Sequence, residues 1–477
     1  MMIRLLLIKA AIVLTFYAAV PARAANQPHP NILLITADDL NWDTVGLRDK
    51  NGQSVTPRLD ALRAESMSFA RAHVTVAVCQ PSRQTWMTGR YPHRQDAMGF
   101  FPIRRDIPTL GATLRAAGYR TAMMGKVNHH EPIDAFGFDE AIEGNEILPG
   151  GRDPSAFARQ TARVLDAAAA ENKPFFIVVN SHDPHRPLYG SPKDRKWYGW
   201  KGSGVAPPSK VYSPGDVPVP GFLPDLPGVR AEIAQYASSS RRLDDTVGAV
   251  LDTLRDKGAW ENTIILFLSD NGMPFPFAKA NCYLSSTRTP WFIRYPGVTR
   301  PGSEDTTHFV SGIDLMPTVL DLAGVPLPEG MDGTSFAPLL RGEPQKGRER
   351  VFTTYYKSPD GNDYSMRCVQ DAEFGYIFNA WAIRGETYNA SPLKSEAFDA
   401  MVKAAKDDPK IAARVNFLRR RVPEELYNLA KDPDCLNNLV DDPSHASRLS
   451  ALRIELADWM DRTGDPLAET YKSFQTK

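Results

Sequence analysis

Residues 31–39 read NILLITADD, an apolar run that ends in two adjacent carboxylates. The run is β-branched and too short for a helix, so it predicts a buried strand over Asn31–Thr36. Three later runs have the same character: Arg120–Met124, Phe175–Asn180 and Thr263–Ser269. Strands that are apolar on both faces are typical of a sheet covered by helices on either side.

Helical patterns lie between these strands and support this interpretation. They cover Pro57–Met67, Thr109–Ala117, Pro154–Ala170 and Ala231–Lys257. The alternation predicts an α/β fold with a large, mostly parallel central sheet flanked by helices. In such folds ligands bind beyond the carboxyl ends of the strands.

The residues that follow each predicted strand are unusually polar. They are Asp38-Asp39, then Gly125-Lys126 with His129-His130, then His182-Asp183-Pro184-His185, and finally Asp270-Asn271-Gly272. Carboxylates, an amide, a lysine and imidazoles therefore converge on one edge of the predicted sheet.

Asp38, Asp39, Asp270 and Asn271 together predict a cation site. Either acidic pair alone is more typical of a turn or a helix cap. At the ends of two central strands they supply only oxygen ligands, which suit calcium or magnesium, whereas zinc more often recruits histidine or cysteine. A zinc phosphatase of similar layout would be expected to carry a histidine at the position of Asn271, so the asparagine favours calcium.

Composition excludes several classes of protein. The 477 residues allow two or three domains, and 42% hydrophobic with 23% charged residues excludes global disorder. Lys+Arg and Asp+Glu both number 56, so no net charge attracts the chain to nucleic acid or an anionic membrane. An anionic substrate must be held by local charge.

The first 24 residues have the pattern of a secretion signal. Arg4 precedes an apolar run that ends in an Ala-Arg-Ala cleavage pattern at residues 22–24. The alternative is a short membrane anchor, although the run is shorter than a span needs. We expect an exported protein, periplasmic or secreted, with no membrane span after signal removal. The four cysteines have no metal-ligand spacing.

The pattern changes near Gln345. Strands are predicted at Val351–Tyr356, Met366–Gln370, Phe374–Trp381 and Glu425–Leu429, followed by a helix over His445–Thr463. We therefore expect a catalytic domain over residues 25–345 and a smaller α+β domain with an antiparallel sheet over 346–477. Residues 187–227 hold nine prolines, which predicts a long structured loop, placed over the site.

Two motifs stand out in the sequence. Cys79, Pro81, Ser82, Arg83, Thr88 and Gly89 form C-x-P-S-R followed by T-G, and Gly118 to Thr121 with Gly125 and Lys126 form G-Y-x-T-x-x-x-G-K followed by histidine. Both motifs resemble those of the type I, formylglycine-dependent sulfatases. Asp183–Arg186, Ser269–Pro276 and Met366-Arg367 further resemble the sulfamidase branch, the heparan N-sulfatases. The likeness extends from Asn31 to Asp465.

The resemblance implies an alkaline-phosphatase-like fold and a modified cysteine. A maturation enzyme would oxidise Cys79 to formylglycine, whose hydrate attacks sulfur with one hydroxyl and expels sulfate with the other. One calcium ion would be bound by Asp38, Asp39, Asp270, Asn271 and an oxygen of the modified Cys79. Gln80 is bulkier than the small residue that usually follows this cysteine.

The same resemblance assigns roles to the basic residues. Arg83, Lys126 and Lys279 would hold the modified residue and the sulfate. His129 would take a proton from the second hydroxyl, with His130 as the alternative, and His185 would serve the leaving group.

The predicted function is hydrolysis of sulfate from a sulfated glycan, with terminal N-sulfoglucosamine of heparin or heparan sulfate as the preferred substrate. The alternatives are an O-sulfatase resembling iduronate 2-sulfatase, a phosphonate or phosphate monoester hydrolase of the same superfamily, and a non-catalytic glycan-binding protein. The intact Cys79, Arg83, Lys126 and Asp270 argue against the last. The oligomeric state stays open.

Overall fold

A computed structural model describes residues 29–145, 147–199 and 202–476. The predicted secretion signal over residues 1–24 lies outside the described residues. Within them, no helix is both long and apolar enough to cross a membrane.

The strands of the described residues belong to one large sheet, one small sheet and one β pair. They are β1 (Asn31–Asp38), β2 (Met67–Phe69), β3 (Ala72–His73), β4 (Arg120–Met124), β5 (Glu140–Ile142), β6 (Phe175–Pro184), β7 (Thr263–Ser269), β8 (Trp291–Arg294), β9 (Glu304–Asp305), β10 (Val310–Ser311), β11 (Val351–Lys357), β12 (Asp363–Gln370), β13 (Phe374–Asn379) and β14 (Glu424–Asn428).

The α-helices separate β1, β4, β6 and β7 from one another, as the sequence predicts. They are α1 (Pro57–Ala64), α2 (Cys79–Thr88), α3 (Leu110–Ala116), α4 (Pro154–Ala170), α5 (Pro192–Tyr198), α6 (Pro227–Asp256), α7 (Leu284–Thr287), α8 (Leu315–Leu322), α9 (Ala337–Leu340), α10 (Glu396–Ala404), α11 (Pro409–Arg419), α12 (Ala446–Thr463) and α13 (Ala468–Gln475).

The large sheet is mostly parallel, which confirms the predicted fold class. Its eight strands have the order β5-β4-β6-β1-β7-β8-β2-β9. Strands β4, β5, β6, β1 and β7 run in one direction, and β8 pairs antiparallel with both of its neighbours. The carboxyl ends of β4, β6, β1 and β7 therefore meet at one edge of the sheet.

Both faces of the sheet are buried, which explains why its strands are continuous apolar runs. Ile32 and Leu34 of β1 join the core beneath α2, α3 and α8. Leu33 and Ile35 face the opposite way and pack with residues of α4 and α6. Alternation along the strand thus divides one apolar run between two cores.

Strand β6 is longer than predicted. The sequence suggests a loop after Asn180, but the strand continues to Pro184, which pairs with Asp38 after an irregularity in the register. His182 and Asp183 therefore belong to the strand, and His185 is the first residue beyond it. These polar residues lie at the carboxyl end of the strand, where they contact polar and charged side chains.

The C-terminal part contains the predicted antiparallel sheet. Strands β11, β12, β13 and β14 are neighbours in that order, and every pair is antiparallel. Leu452 and Trp459 of α12 pack on one face of this sheet with Tyr376 and Phe378. The division of the chain at residue 345 stays a prediction.

The small sheet is joined to the segments around the site. Thr354 of β11 forms a parallel bridge with Val76, three residues before Cys79. The Tyr388 hydroxyl donates a 2.6 Å hydrogen bond to the carbonyl oxygen of Ala280, next to Lys279. The C-terminal part of the chain thus supports both segments that carry these residues, one through β11 and the other through Tyr388.

The proline-rich segment over residues 187–227 contains the short helix α5 and packs against α6. The backbone N–H of Tyr189 donates to Ser239 Oγ at 2.8 Å, and that of Tyr212 donates to Ser238 Oγ at 2.9 Å. These two contacts attach the described residues on either side of the α5 region to α6. Its expected position over the site stays a prediction.

Candidate active site

Carboxylates from two neighbouring strands lie together at the sheet edge. Asp38 ends β1, Asp270 follows β7, and both are fully buried. Asp39 has a left-handed backbone (φ 70°), and its N–H donates to Asp270 Oδ1 at 3.0 Å. Carboxylate oxygens of Asp38, Asp39 and Asp270 all lie within 4.8 Å of one another. Buried carboxylates this close repel unless positive charge lies between them.

The donor set fits a hard divalent cation. Asn271 Nδ2 donates to Asp39 Oδ1 at 2.7 Å, which leaves Asn271 Oδ1 free. Among the described residues no group donates a hydrogen bond to Asn271 Oδ1 or to Asp39 Oδ2, although both atoms are buried. Buried oxygens without a donor are costly, and a cation bound by oxygen ligands would satisfy them.

Cys79 lies at the first position of α2, beside these carboxylates. Its Sγ is 3.6 Å from Asp38 Oδ1 and 3.2 Å from Lys279 Nζ. The side chain is 3% exposed. Burial, with the negative charge of Asp38, raises the pKa of the thiol. An unmodified Cys79 is therefore a protonated thiol and a poor nucleophile.

Three cations balance the carboxylates. Lys126 pairs with Asp38, and Lys279 Nζ lies 2.5 Å from Asp39 Oδ1. Arg83 pairs with Asp270 at 2.7 Å. Burial would raise the pKa of Asp38, but the charges of Lys126, His185, Arg83 and Lys279 hold it well below its ordinary value.

The pKa of Asp270 shifts in the opposite direction to that of Asp38. Burial and the negative charge of Asp38 raise its pKa to about 7, against the opposing effect of Arg83. A bound divalent cation would favour the ionised carboxylate. The charge state of this site is therefore linked to cation binding.

The four strand-end histidines differ in their surroundings. His185 is half-buried, and one of its ring nitrogens lies within 4.8 Å of both Cys79 Sγ and a carboxylate oxygen of Asp38. Its Nδ1 lies 2.5 Å from the carbonyl oxygen of Arg186, which can only accept a hydrogen bond, so Nδ1 carries the proton. Burial lowers its pKa to about 4. His185 Nε2 is thus an acceptor in the neutral ring.

His129 and His130 are adjacent but have separate environments. His129 is half-buried, its Nδ1 contacts Asn128, and burial with the charge of Lys126 lowers its pKa to about 2. His130 is 1% exposed, contacts the carbonyl oxygen of Lys126 at 3.0 Å and packs edge-on against Phe136 in the core. The accessible imidazole of the pair is His129.

His182 contacts the backbone of Lys126 rather than its ammonium group. Its Nε2 accepts a 3.3 Å hydrogen bond from the backbone N–H of Lys126, whose φ is 53°. Burial, with the charge of Lys126, holds the pKa of His182 well below its ordinary value. The neutral ring can therefore accept that hydrogen bond.

The sequence analysis missed the residues that fix Arg83. Arg83 Nη1 donates to Thr36 Oγ1 at 2.9 Å and to Asn180 Oδ1 at 2.8 Å. Asn180 Nδ2 in turn donates to the carbonyl oxygen of Gly125, where a Cβ would lie 2.3 Å from the Asn180 carbonyl oxygen. The signal available in the sequence was Asn180 itself, a polar residue at the end of an otherwise apolar predicted strand.

Arg152 and Arg242 were also missed, and both hold the segment that carries His185. Each forms an ion pair with the buried Asp183. Arg152 Nη2 also donates to the carbonyl oxygen of His185 at 2.9 Å. Neither arginine lies in a recognisable motif, so the sequence offered no signal for them.

A comparison with models of protein families identifies the family of this chain. The family model described as Sulfatase matches residues 30–325. The chain belongs to the sulfatase family. This sulfatase is therefore an enzyme that hydrolyses sulfuric esters. A second model, described as N-sulphoglucosamine sulphohydrolase, C-terminal, matches residues 275–383.

Curated relatives support this assignment. Human N-sulphoglucosamine sulphohydrolase is 32% identical over 472 residues, which cover 91% of each chain. An ulvan-active sulfatase of Formosa agariphila is 26% identical, with 94% of this sulfatase and 83% of the relative covered.

Solved structures show the same fold. A protein in complex with its substrate D-glucosamine-2-N,6-O-disulfate superposes with a TM-score of 0.67 at 19% identity, covering 92% of this sulfatase and 99% of that chain. A phosphonate monoester hydrolase of Agrobacterium radiobacter gives a TM-score of 0.66 at 18% identity, with 91% and 96% covered. The alkaline-phosphatase-like architecture predicted from the motifs is thereby confirmed.

Proposed function

We propose that this sulfatase hydrolyses the N-sulfate of terminal N-sulfoglucosamine in glycans of the heparin and heparan sulfate type, and that it acts after export to the periplasm or the exterior. The observation that carries the proposal is the 32% identity to human N-sulphoglucosamine sulphohydrolase over 91% of both chains. The match of residues 275–383 to the C-terminal model of that enzyme supports it, because this range includes Lys279.

Cys79 is the proposed nucleophile, in the form of formylglycine made by a maturation enzyme. A thiol whose pKa is raised by burial and by Asp38 does not ionise readily, which is consistent with a modified side chain at this position. The hydrate offers two hydroxyls, so sulfate is released from the covalent intermediate without attack by an external water.

Asp38, Asp39, Asp270 and Asn271 would hold one calcium ion together with an oxygen of the modified Cys79. The ion would polarise the sulfuryl group and lower the pKa of the attacking hydroxyl. Arg83 keeps Asp270 in place with a 2.7 Å contact. Lys279 lies 3.2 Å from Cys79 Sγ, so it can orient the group that replaces the thiol and neutralise a sulfate oxygen.

His185 is the proposed proton donor to the leaving amine. A carbonyl acceptor fixes its Nδ1, so Nε2 carries the transferable proton when the ring is charged. The bound sulfate places negative charge beside the ring and favours that charged form. His129, the accessible member of its pair, is the proposed acceptor of the proton from the second hydroxyl.

An O-sulfatase activity is the second candidate. An endo-4-O-sulfatase of Bacteroides thetaiotaomicron matches 92% of this chain, although at only 25% identity. One or two contacts in a pocket change substrate preference by about 1–3 kcal/mol, so the two candidates differ by little in structure.

Sulfate release from defined sugars tests the proposal. N-sulfoglucosamine, glucosamine 6-sulfate and an iduronate 2-sulfate disaccharide are supplied at equal concentration, with Cys79→Ala as the control for contaminating activity. The proposal expects the fastest release from N-sulfoglucosamine. Faster release from either O-sulfate assigns the enzyme as an O-sulfatase instead.

A further inference from the structure

Gln80, the bulky residue after Cys79, has a contact outside its own helix. Its Nε2 donates to the carbonyl oxygen of Phe101 at 3.2 Å. Gln84, one turn later on the same helix, donates to the same oxygen, also at 3.2 Å. Two amides thus anchor the segment that carries Phe101 to the helix that begins at Cys79.

The anchored segment also borders His129. The Phe100 and His129 rings meet edge to face, with their centroids 6.2 Å apart. The next ring, Phe101, is 43% exposed, although the carbonyl oxygen of the same residue is held by two amides. The segment therefore presents an aromatic surface to solvent beside the proposed active site.

Lys357 lies against this ring. Its Nζ is 5.6 Å from the Phe101 centroid. Gly99 separates the two residues so narrowly that a Cβ there would lie 3.2 Å from Lys357 Cβ and 3.1 Å from Phe101 Cε2. Among the described residues, the Lys357 ammonium has this ring contact but no ion pair and no hydrogen bond to another side chain or to the backbone.

Strand β11, which ends at Lys357, passes beside the segment that leads to Cys79. Thr354 and Val76 form a parallel bridge, and the N–H of Thr354 donates to the carbonyl oxygen of Thr75 at 2.8 Å. Lys357 lies three residues beyond Thr354, and Cys79 lies three residues beyond Val76. Strand β11 ends at Lys357 and helix α2 begins at Cys79, so the bridge joins the strand that ends at the lysine to the segment that leads into the helix.

We infer that Phe101 and Lys357 form a subsite for a second anionic group of the substrate, a sulfate or a carboxylate other than the sulfate that is hydrolysed. The inference rests on the proposed function, since it assumes a sulfated sugar at Cys79. The exposed ring offers a surface for the apolar face of a sugar. The unpaired ammonium offers a charge-assisted hydrogen bond to the anionic group.

The test compares substrates of different charge in matched variants. Lys357→Met removes the charge and keeps the length of the side chain, Lys357→Arg keeps the charge, and Lys346→Met removes an exposed lysine elsewhere. The substrates are N-sulfoglucosamine, its 6-sulfate, and a disaccharide in which N-sulfoglucosamine is linked to a uronic acid. Thermal midpoints confirm that each variant is folded.

Lys357→Met should raise KM about tenfold for at least one doubly charged substrate, and by less for N-sulfoglucosamine, because a charge-assisted hydrogen bond is lost. Lys357→Arg should restore the wild-type ratio. The 6-sulfate and the uronate arms show which anion binds. Equal changes on all three substrates, or an equal effect of Lys346→Met, would overturn the subsite.

Failure of the proposed function is distinguished from failure of the subsite by the wild-type enzyme, which would then prefer an O-sulfate to N-sulfoglucosamine. In that case the same variants are compared on that O-sulfate with and without its second anionic group.

Discussion

Arg83 holds Asp270 through a single carboxylate oxygen. Its Nη2 and Nε donate to Asp270 Oδ2 at 2.7 Å and 3.1 Å. The other oxygen, Oδ1, accepts from the backbone of Asp39 and faces the acidic cluster. The arginine therefore fixes the orientation in which Asp270 presents Oδ1 to the acidic cluster.

Asp270→Ala should abolish both calcium binding and activity, because it removes a buried ligand and leaves Arg83 without its carboxylate. Calcium at about 100 times its dissociation constant should stabilise the wild-type protein by about 2.7 kcal/mol, seen as a higher thermal midpoint. The variant should show no such rise. Asp461→Ala, at an exposed position, serves as the control.

Metal content of the active enzyme gives an independent check of the same prediction. Elemental analysis should find one calcium ion per chain. Stoichiometric zinc in a fully active preparation, with activity insensitive to exchange into calcium, would contradict the assignment.

Cys79→Ala should lose many powers of ten in rate while the protein still folds, because only a small buried group is removed. Intact mass of the peptide that contains Cys79 should show formylglycine in the active wild-type enzyme. Cys368→Ala is the matched control, since Cys368 is also free and buried. Ordinary activity in a chain whose Cys79 is entirely unmodified thiol contradicts the proposed nucleophile.

His129→Ala and His130→Ala should separate function from stability. The first should lower kcat by about 10²–10⁴-fold with little change in the thermal midpoint, because His129 is the accessible imidazole. The second should lower the free energy of unfolding by about 1–3 kcal/mol, since it removes a buried ring and a hydrogen bond to Lys126. The opposite pattern assigns His130 as the catalytic histidine.

His185 should give the N-sulfatase reaction an acidic pH dependence. Burial lowers its pKa to about 4, so the charged ring is abundant in the free enzyme only below about pH 4 and falls tenfold per unit above it. With saturating calcium, kcat/KM for N-sulfoglucosamine should therefore fall as pH rises from 5 to 7, by up to about tenfold per unit.

An aryl sulfate should lack this pH dependence, because a phenolate leaves without protonation. His185→Gln should remove the dependence for N-sulfoglucosamine and slow that substrate more than the aryl sulfate. Identical pH profiles for both substrates would show that His185 does not protonate the leaving group.

The sequence predicted the apolar strands well because their composition is local information. Strands β4 and β7 begin and end at the predicted residues, whereas β6 extends four residues further. That extension depends on pairing between Pro184 and Asp38, which are far apart in the chain. The hydrophobic periodicity of one segment does not predict which distant residue will pair with it.

The same limit applies to the site. Motifs identified Cys79 and Arg83, but the contact of Arg83 with Asn180 joins residues 97 positions apart. His129 and His130 are neighbours of the same residue type, so composition does not distinguish them. Only the packing of His130 against Phe136 separates the buried imidazole from the accessible one.

The bridge between Val76 and Thr354 has a consequence for the order in which the chain is made. The strand residue Thr354, which supports the segment before Cys79, is synthesised about 280 residues after Val76, and the Tyr388 hydroxyl that supports Ala280 follows later still. A chain that grows from its N-terminus cannot complete the surroundings of Cys79 until β11 and Tyr388 have emerged. Until then, a thiol that is 3% exposed in the finished fold lies on an open chain, which is where the proposed modification of Cys79 would meet the least obstruction.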